Sequence, residues 1–145
     1  DSPKEDFVLN NDTYSGKVLV AGRNFGSGSS REHAAWAIYD YGFRCVISSF
    51  FADIFKGNSL NIGILPVTVS PEFLDKIFKD IEKAPNAQVE VNLPAQTVTI
   101  LSTGESESFD INGYKKNNMV NGFDDIDYLQ SMKEEIASFE AARPF

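Results

Sequence analysis

The sequence predicts an α/β fold, and three features of its patterning carry that prediction. Short apolar runs of strand length alternate with stretches of helical spacing through the first half of the chain. Two period-two segments separated by a turn come next. Apolar residues at helical spacing then return near the end. With 145 residues and no break in composition, these elements read as a single domain over residues 1–145. Residues 1–6 (DSPKED) read as linker. Because residue 1 is not methionine, a preceding segment is expected to be missing.

Each element has its own signal. Residues 17–21 (KVLVA) form a short apolar run bounded by glycines, as a buried strand does. A glycine-rich loop follows, and then a helix expected to begin near Ser29. There, Ser29 and Glu32 fit the S-x-x-E capping box. Ala34, Ala37, Ile38 and Tyr41 give this helix an apolar face, and Gly42 stands where a C-terminal glycine cap belongs. Trp36 and Phe43 are expected in the core. Residues 44–48 (RCVIS) are a second buried-type strand, and residues 50–55 read as a short helix broken at Gly57 and Asn58. Residues 64–69 (ILPVTV) are strand-like, with Pro66 pointing to an edge or an irregular start. Pro71 suits the first position of a helix whose Phe73, Leu74, Ile77, Phe78 and Ile81 make one stripe. Residues 88–93 and 97–101 alternate around a Pro94-containing turn, residues 106–111 offer a third strand, and one last helix is expected from Asp124.

Composition narrows the function classes. Hydrophobic residues at 42% and charged residues at 23% are the balance of a soluble globular chain. No apolar run nears the ~20 residues of a membrane span. No leader resembles a secretion signal. A net charge of −8 with scattered lysines and arginines speaks against a nucleic-acid binder, but not against an anionic substrate held by local groups. One cysteine, Cys45, and one histidine, His33, suit a reducing cytoplasm. They are too few to hold a tetrahedral zinc ion or an iron–sulfur cluster, so no metal site is expected here.

Residues 22–33 (GRNFGSGSSREH) are the chemically loaded segment. They follow a buried strand, carry glycines that let the backbone turn and approach a ligand, and end at a helix N-terminus, which favours an anion. Two hydroxyls, Ser29 and Ser30, and the Arg31 guanidinium stand at that mouth, and arginine can clamp a carboxylate bidentately. Equally compatible with the local pattern is a plain helix cap at Ser29 with a solvated Arg31. Nucleotide loops are excluded: no lysine lies here for a Walker loop, and Arg31 stands where the dinucleotide pattern needs its third glycine. No nucleophile elbow is present. Ser29 and His33 do not make a triad, since there is no second histidine and a catalytic base normally comes from elsewhere in the fold.

Residues 22–34 resemble the signature of the swivelling domain of aconitase-type hydro-lyases, in the form seen in 3-isopropylmalate dehydratase small subunits. The likeness continues through residues 40–44, 49–55, 61–66 and 121–126, and into the tail from Phe139 to Pro144. It implies a three-layer swivelling β/β/α domain, similar to the aconitase C-terminal domain. It further implies a separate chain that docks on a large subunit carrying a 4Fe-4S cluster, whose iron acts as Lewis acid on the departing hydroxyl; none is bound by this chain. By resemblance Ser29 is the catalytic base, while Ser30, Arg31 and the backbone at Gly28 bind the carboxylate of a small dicarboxylate substrate. The implied reaction is dehydration of 2-isopropylmalate and rehydration to 3-isopropylmalate, in leucine biosynthesis in the cytoplasm. His33 belongs to the motif and is assigned capping or packing, with no catalytic step. Members of this family usually open with a strand and a substrate-selecting loop, which nothing before Phe7 resembles. A related small subunit acting on homoaconitate, citraconate or another methylated malate therefore stays open. From other classes, so do a non-catalytic anion-binding module and a purely structural protein.

Overall fold

The computed structural model describes residues 7–11 and 13–143; the linker reading of residues 1–6 lies outside them. Its chain divides into two compact units, one up to Asp110 and one from Ile111. In the first, strand β2 (Cys45–Ser48) is the centre of a parallel sheet in the order β1 (Val18–Val20), β2, β3 (Leu65–Thr68). Helix α1 (His33–Tyr41) connects β1 to β2 and helix α2 (Asp53–Asn61) connects β2 to β3, because parallel neighbours can be joined only by a crossover. Leu19 pairs with Val46, and Val46 with Pro66. All four β2 positions are buried, which is why Cys45, Val46 and Ile47 run on without polar alternation before Ser48. Pro66 lies on the edge strand, as its sequence suggests: the Leu65 N–H donates to Arg44 O just before β2 and the Val69 N–H to Ser48 O, and in this alternating pattern position 66 need not donate.

One face of this sheet packs on α1 and α2. Ala21, Ala35, Val46, Phe51, Phe55 and Ile64 form the buried cluster, with Leu19, Phe25, Ile38 and Tyr39 partly buried against it. The α1 face that turns inward is therefore Ala34, Ala35, Ile38 and Tyr39 rather than the expected Ala34, Ala37, Ile38 and Tyr41. In a run as rich in alanine as HAAWA, two adjacent stripes are almost equally apolar, and the larger cluster selects between them. That choice also decides Trp36, which is 44% exposed instead of core, its ring 4.9 Å from His33. Phe43 is buried as expected. Gly42 closes the helix at φ 117°: its N–H donates to Tyr39 and that of Phe43 to Ile38, the paired bonds of a glycine cap. Helix α2 does not break at Gly57 and Asn58 but runs on to Asn61, since burial of Phe55 and Ser59 on one side outweighs the weak helix propensity of the pair.

Gly26 is where the loop after β1 meets this core. Its φ is 82°, and a Cβ placed there would lie 2.3 Å from Cγ of Phe55. Both facts demand glycine, one on backbone grounds and one on volume grounds.

Helix α3 (Pro71–Lys83) starts with Ser70 accepting from the Phe73 N–H and Pro71 in the first turn. Its Phe73, Leu74 and Ile77 are buried and Phe78 and Ile81 half-buried, the expected stripe. The second sheet is antiparallel, in the order β4 (Val89–Asn92), β5 (Thr97–Ile100), β6 (Ser106–Ser108). Val89 faces Ile100 and Val91 faces Val98 across the hairpin, so the apolar residues of both strands share one side. Glu107 of β6 accepts from the Ser70 N–H and hydroxyl, at 2.5 and 2.6 Å, a carboxylate at the helix N-terminus where the dipole favours it. Ser102 donates to Asp80, and Lys76 pairs with Glu105. The sheet is thereby tied along the length of α3.

The second unit is helical. Helix α4 (Gly113–Asn121), which the sequence reading did not anticipate, is capped by Asn112 accepting from Tyr114 and Lys115. The expected final helix is two: α5 (Asp125–Ser131) and α6 (Lys133–Ala141), with Met132 between them. Asp124 and Asp127 form a reciprocal capping box at the start of α5. Asp125 accepts from the Tyr114 hydroxyl at 2.6 Å, which holds its carboxyl below the usual range and pushes the Tyr114 phenol up.

Two predictions follow from the packing of the first unit. Gly26→Ala should cost about 3 kcal/mol or more, from the forced φ and the overlap with Phe55 together, read as a lower urea midpoint. An unchanged midpoint would mean that the loop can lift off Phe55 freely. Burial pushes the Cys45 thiol up to about 12 from 9.0. The folded state then keeps its proton where the unfolded chain has lost it. Stability from this site is complete below pH 9 and is lost as pH rises towards 12. A thiol reagent at pH 8 should label Cys45 only after denaturant is added, and rapid labelling of the folded chain contradicts its burial.

Candidate functional site

The loop between β1 and α1 leaves the carboxyl end of a parallel strand, the end at which α/β sheets hold their ligands. The segment after β2 leaves the same end, and the two are stitched together. Phe25 and Phe51 form an isolated parallel bridge; the Phe25 N–H donates to Phe50 O at 3.2 Å and the Ala52 N–H to Phe25 O at 3.0 Å. Phe25 and Phe55 meet edge to face at 5.2 Å. Ser48, the last residue of β2 and fully buried, has its hydroxyl oxygen 2.8 Å from Gly22 O and 3.0 Å from Phe50 O. Asn24 takes a positive φ of 63°, which asparagine tolerates better than most residues, and the chain turns there so that the Ser27 N–H reaches Asn24 O.

Beyond Gly26 the loop is open. Gly28, Ser30 and Arg31 are exposed and Ser29 is half-buried. A Cβ added at Gly28 would meet nothing within 4 Å. The expected capping box between Ser29 and Glu32 is not formed. Helix α1 begins at His33 behind Glu32, with no side-chain cap. Instead the Ser29 hydroxyl accepts from the Arg31 N–H at 3.1 Å, two residues on. This local turn competes with capping and has won, moving the helix start four residues downstream of Ser29. One consequence concerns charge. Among the described residues, the main-chain N–H groups of Ser30, Glu32 and His33 have no acceptor. Open N–H groups next to a helix N-terminus are a polarity that favours an anion.

The structure thus brings the four residues singled out from the sequence, Gly28, Ser29, Ser30 and Arg31, onto one exposed turn above the sheet. His33 is exposed beside Trp36 and apart from that turn's hydrogen bonds. Ser48, in contrast, carries no motif signal: within residues 44–48 it reads as one more strand position, and only the fold shows what its hydroxyl holds. No three His, Cys, Asp or Glu side chains group as metal ligands among the described residues, and Cys45 is buried. No helix among them is long and apolar enough to cross a membrane.

Comparison with known proteins shows the family. The family model described as the aconitase C-terminal domain matches residues 1–72, and that described as LeuD_N matches residues 75–113. The 3-isopropylmalate dehydratase small subunit of Christiangramia forsetii is 62% identical over 141 residues, covering 97% of this chain and 69% of its own length. That of Cytophaga hutchinsonii is 58% identical over 139 residues, covering 96% and 69%. The crystal structure of 3-isopropylmalate dehydratase (leuD) from Methanocaldococcus jannaschii superposes with a TM-score of 0.62 at 30% identity, covering 83% of this chain and 67% of that one. On this evidence the chain belongs to the family of 3-isopropylmalate dehydratase small subunits, hydro-lyase components that share the aconitase C-terminal fold.

Proposed function

We propose that this chain is the loop-bearing half of a cytoplasmic hydro-lyase that isomerises 2-isopropylmalate and 3-isopropylmalate in leucine biosynthesis, with Ser29 as the base. The observation that carries the proposal is the hydrogen bond from the Arg31 N–H to the Ser29 hydroxyl oxygen. A serine is a poor base because its alkoxide is unstable. A fixed N–H aimed at that oxygen is what lowers the alkoxide's energy. In this reading the Ser29 oxygen takes a proton from the carbon beside the one that bears the hydroxyl. A carbon–carbon double bond forms as the hydroxyl leaves, and water returns with the opposite regiochemistry.

Ser30 and Arg31 would hold a substrate carboxylate, the hydroxyl by one bond and the guanidinium by two. Gly28 is compatible with this role: among the described residues nothing lies within 4 Å of where its Cβ would be, which leaves room for a ligand. The second partner would be the large subunit. A 4Fe-4S cluster belongs to that subunit and not here, because the residues of this chain do not fit it: Cys45 is its sole cysteine and is buried against ionisation.

The test is turnover of 2-isopropylmalate by the chain mixed anaerobically with its large subunit, each alone as control. Activity is expected in the mixture only. Ser29→Ala should lower kcat by about 10²–10⁴-fold in a complex that still assembles. Arg31→Lys keeps the charge but loses the fork, and should raise KM about tenfold or more, equivalent to about 1.4 kcal/mol. Parental turnover by the assembled Ser29→Ala complex would end the proposal for that residue.

A further inference from the structure

We infer that Ser48 is a positioning residue for the reaction loop, holding the Gly22–Glu32 segment in register with the strand beneath it. The inference rests on the proposed role of that loop and adds a residue outside it.

Four observations meet at Ser48. It is fully buried at the end of a strand whose other positions are Cys45, Val46 and Ile47, where a hydroxyl is costly unless partnered. Its oxygen lies within bonding distance of two carbonyls, Gly22 O at 2.8 Å and Phe50 O at 3.0 Å. A hydroxyl has one proton, so the two carbonyls share it. The Phe50 N–H approaches the same oxygen at 3.4 Å. Gly22 is the first residue of the loop and Phe50 lies in the segment to which Phe25 is bridged. A single side chain therefore joins the two places where the main chain leaves the sheet, at the root of the turn that carries Ser29, Ser30 and Arg31. The other ties are the Ala21 N–H to Ile47 O bond at the foot of the loop, the main-chain bonds at Phe25 and the Gly26 contact with Phe55; Ser48 adds the side-chain tie at the origin, to Gly22 O itself.

Ser59 supplies a matched comparison. It is as deeply buried, in α2, but its hydroxyl has no partner among the described residues. Removing it takes away a buried serine without touching the loop.

The experiment compares Ser48→Ala, Ser59→Ala and Ser29→Ala in the complex with the large subunit, reading amide hydrogen exchange over residues 22–32 alongside kcat and KM. For Ser48→Ala, faster exchange is expected in residues 22–32 and 49–52 but not in α3. A fall of about 10- to 100-fold in kcat/KM should accompany it, the scale of a small misplacement of reacting groups. Ser59→Ala should leave both readouts at the parental level. If the alanine chain fails to assemble, Ser48→Cys, which retains bulk but donates weakly, is read in the same way. Loop exchange unchanged in the Ser48 variant overturns the positioning role directly. Loosened exchange with parental turnover, while Ser29→Ala is inactive, shows that loop order is not needed and also overturns it. Parental turnover by Ser29→Ala would remove the reading on which the inference stands, whereas the exchange data would still report the tether.

Discussion

The constraint on which this molecule depends is the carboxyl end of its parallel sheet, where β1 and β2 stop together and their main chains must be satisfied without further strand. Each hydrogen bond made there is worth about 0.5–1.5 kcal/mol net. The chain solves this by laying the loop after β1 against the segment after β2. Ser48 serves Gly22 O and Phe50 O, the Phe25–Phe51 bridge continues the parallel pairing, and Gly26 lets the backbone close on Phe55. A loop that is irregular and glycine-rich is in this way given the order of a sheet. Its exposed turn then stands on a fixed base.

The elements farther along the chain in the first unit are braced by a different set of bonds. Helix α3 and the second sheet are bound to each other by Glu107, Asp80 and Lys76, through bonds that run along the helix. None of these groups lies near residues 22–32 in the bonding pattern. They make a separately braced block whose buried residues, Phe73, Leu74, Ile77, Val98 and Ile100, belong to a core away from the α1 and α2 cluster.

Much of this was legible in the sequence, because strand runs, alternation and glycine punctuation are local signals. β1, β2, β3, α3 and the hairpin lie where the patterning puts them, and residue types marked the loop as the chemically loaded segment while leaving a plain helix cap equally compatible. What escaped depends on long-range or nearly balanced choices. The start of α1 turned on whether Ser29 would accept from two or three residues ahead, alternatives close in energy. Trp36 was misplaced because HAAWA offers two apolar stripes. The break at Met132 contains neither glycine nor proline, and α4 is rich in lysine and asparagine, so neither is marked by hydrophobic period. Ser48 could not be found at all, since its partners are 26 residues back and two ahead, and only the first of them identifies the loop.

Electrostatic magnitudes explain why such a loop belongs to a subunit and not to a complete enzyme. On the surface of this chain, Ser30 and Arg31 are exposed to water. A guanidinium and a carboxylate about 4 Å apart attract by ~1 kcal/mol in bulk water and ~4 kcal/mol at the effective dielectric near a protein surface. The first figure is too small to select a substrate or to favour an alkoxide at Ser29. Excluding water from above the turn would move the same groups towards the second figure and would sharpen the Arg31 N–H bond to the Ser29 oxygen as well. No residue of this loop can exclude that water, since the space over Gly28 is open and the turn faces outward. In the proposed reading the large subunit supplies that covering, with the substrate between the two. On that proposal the tethered root and the open crown of the loop are two halves of one requirement: this chain would hold the groups in place, and closure over them would make them effective.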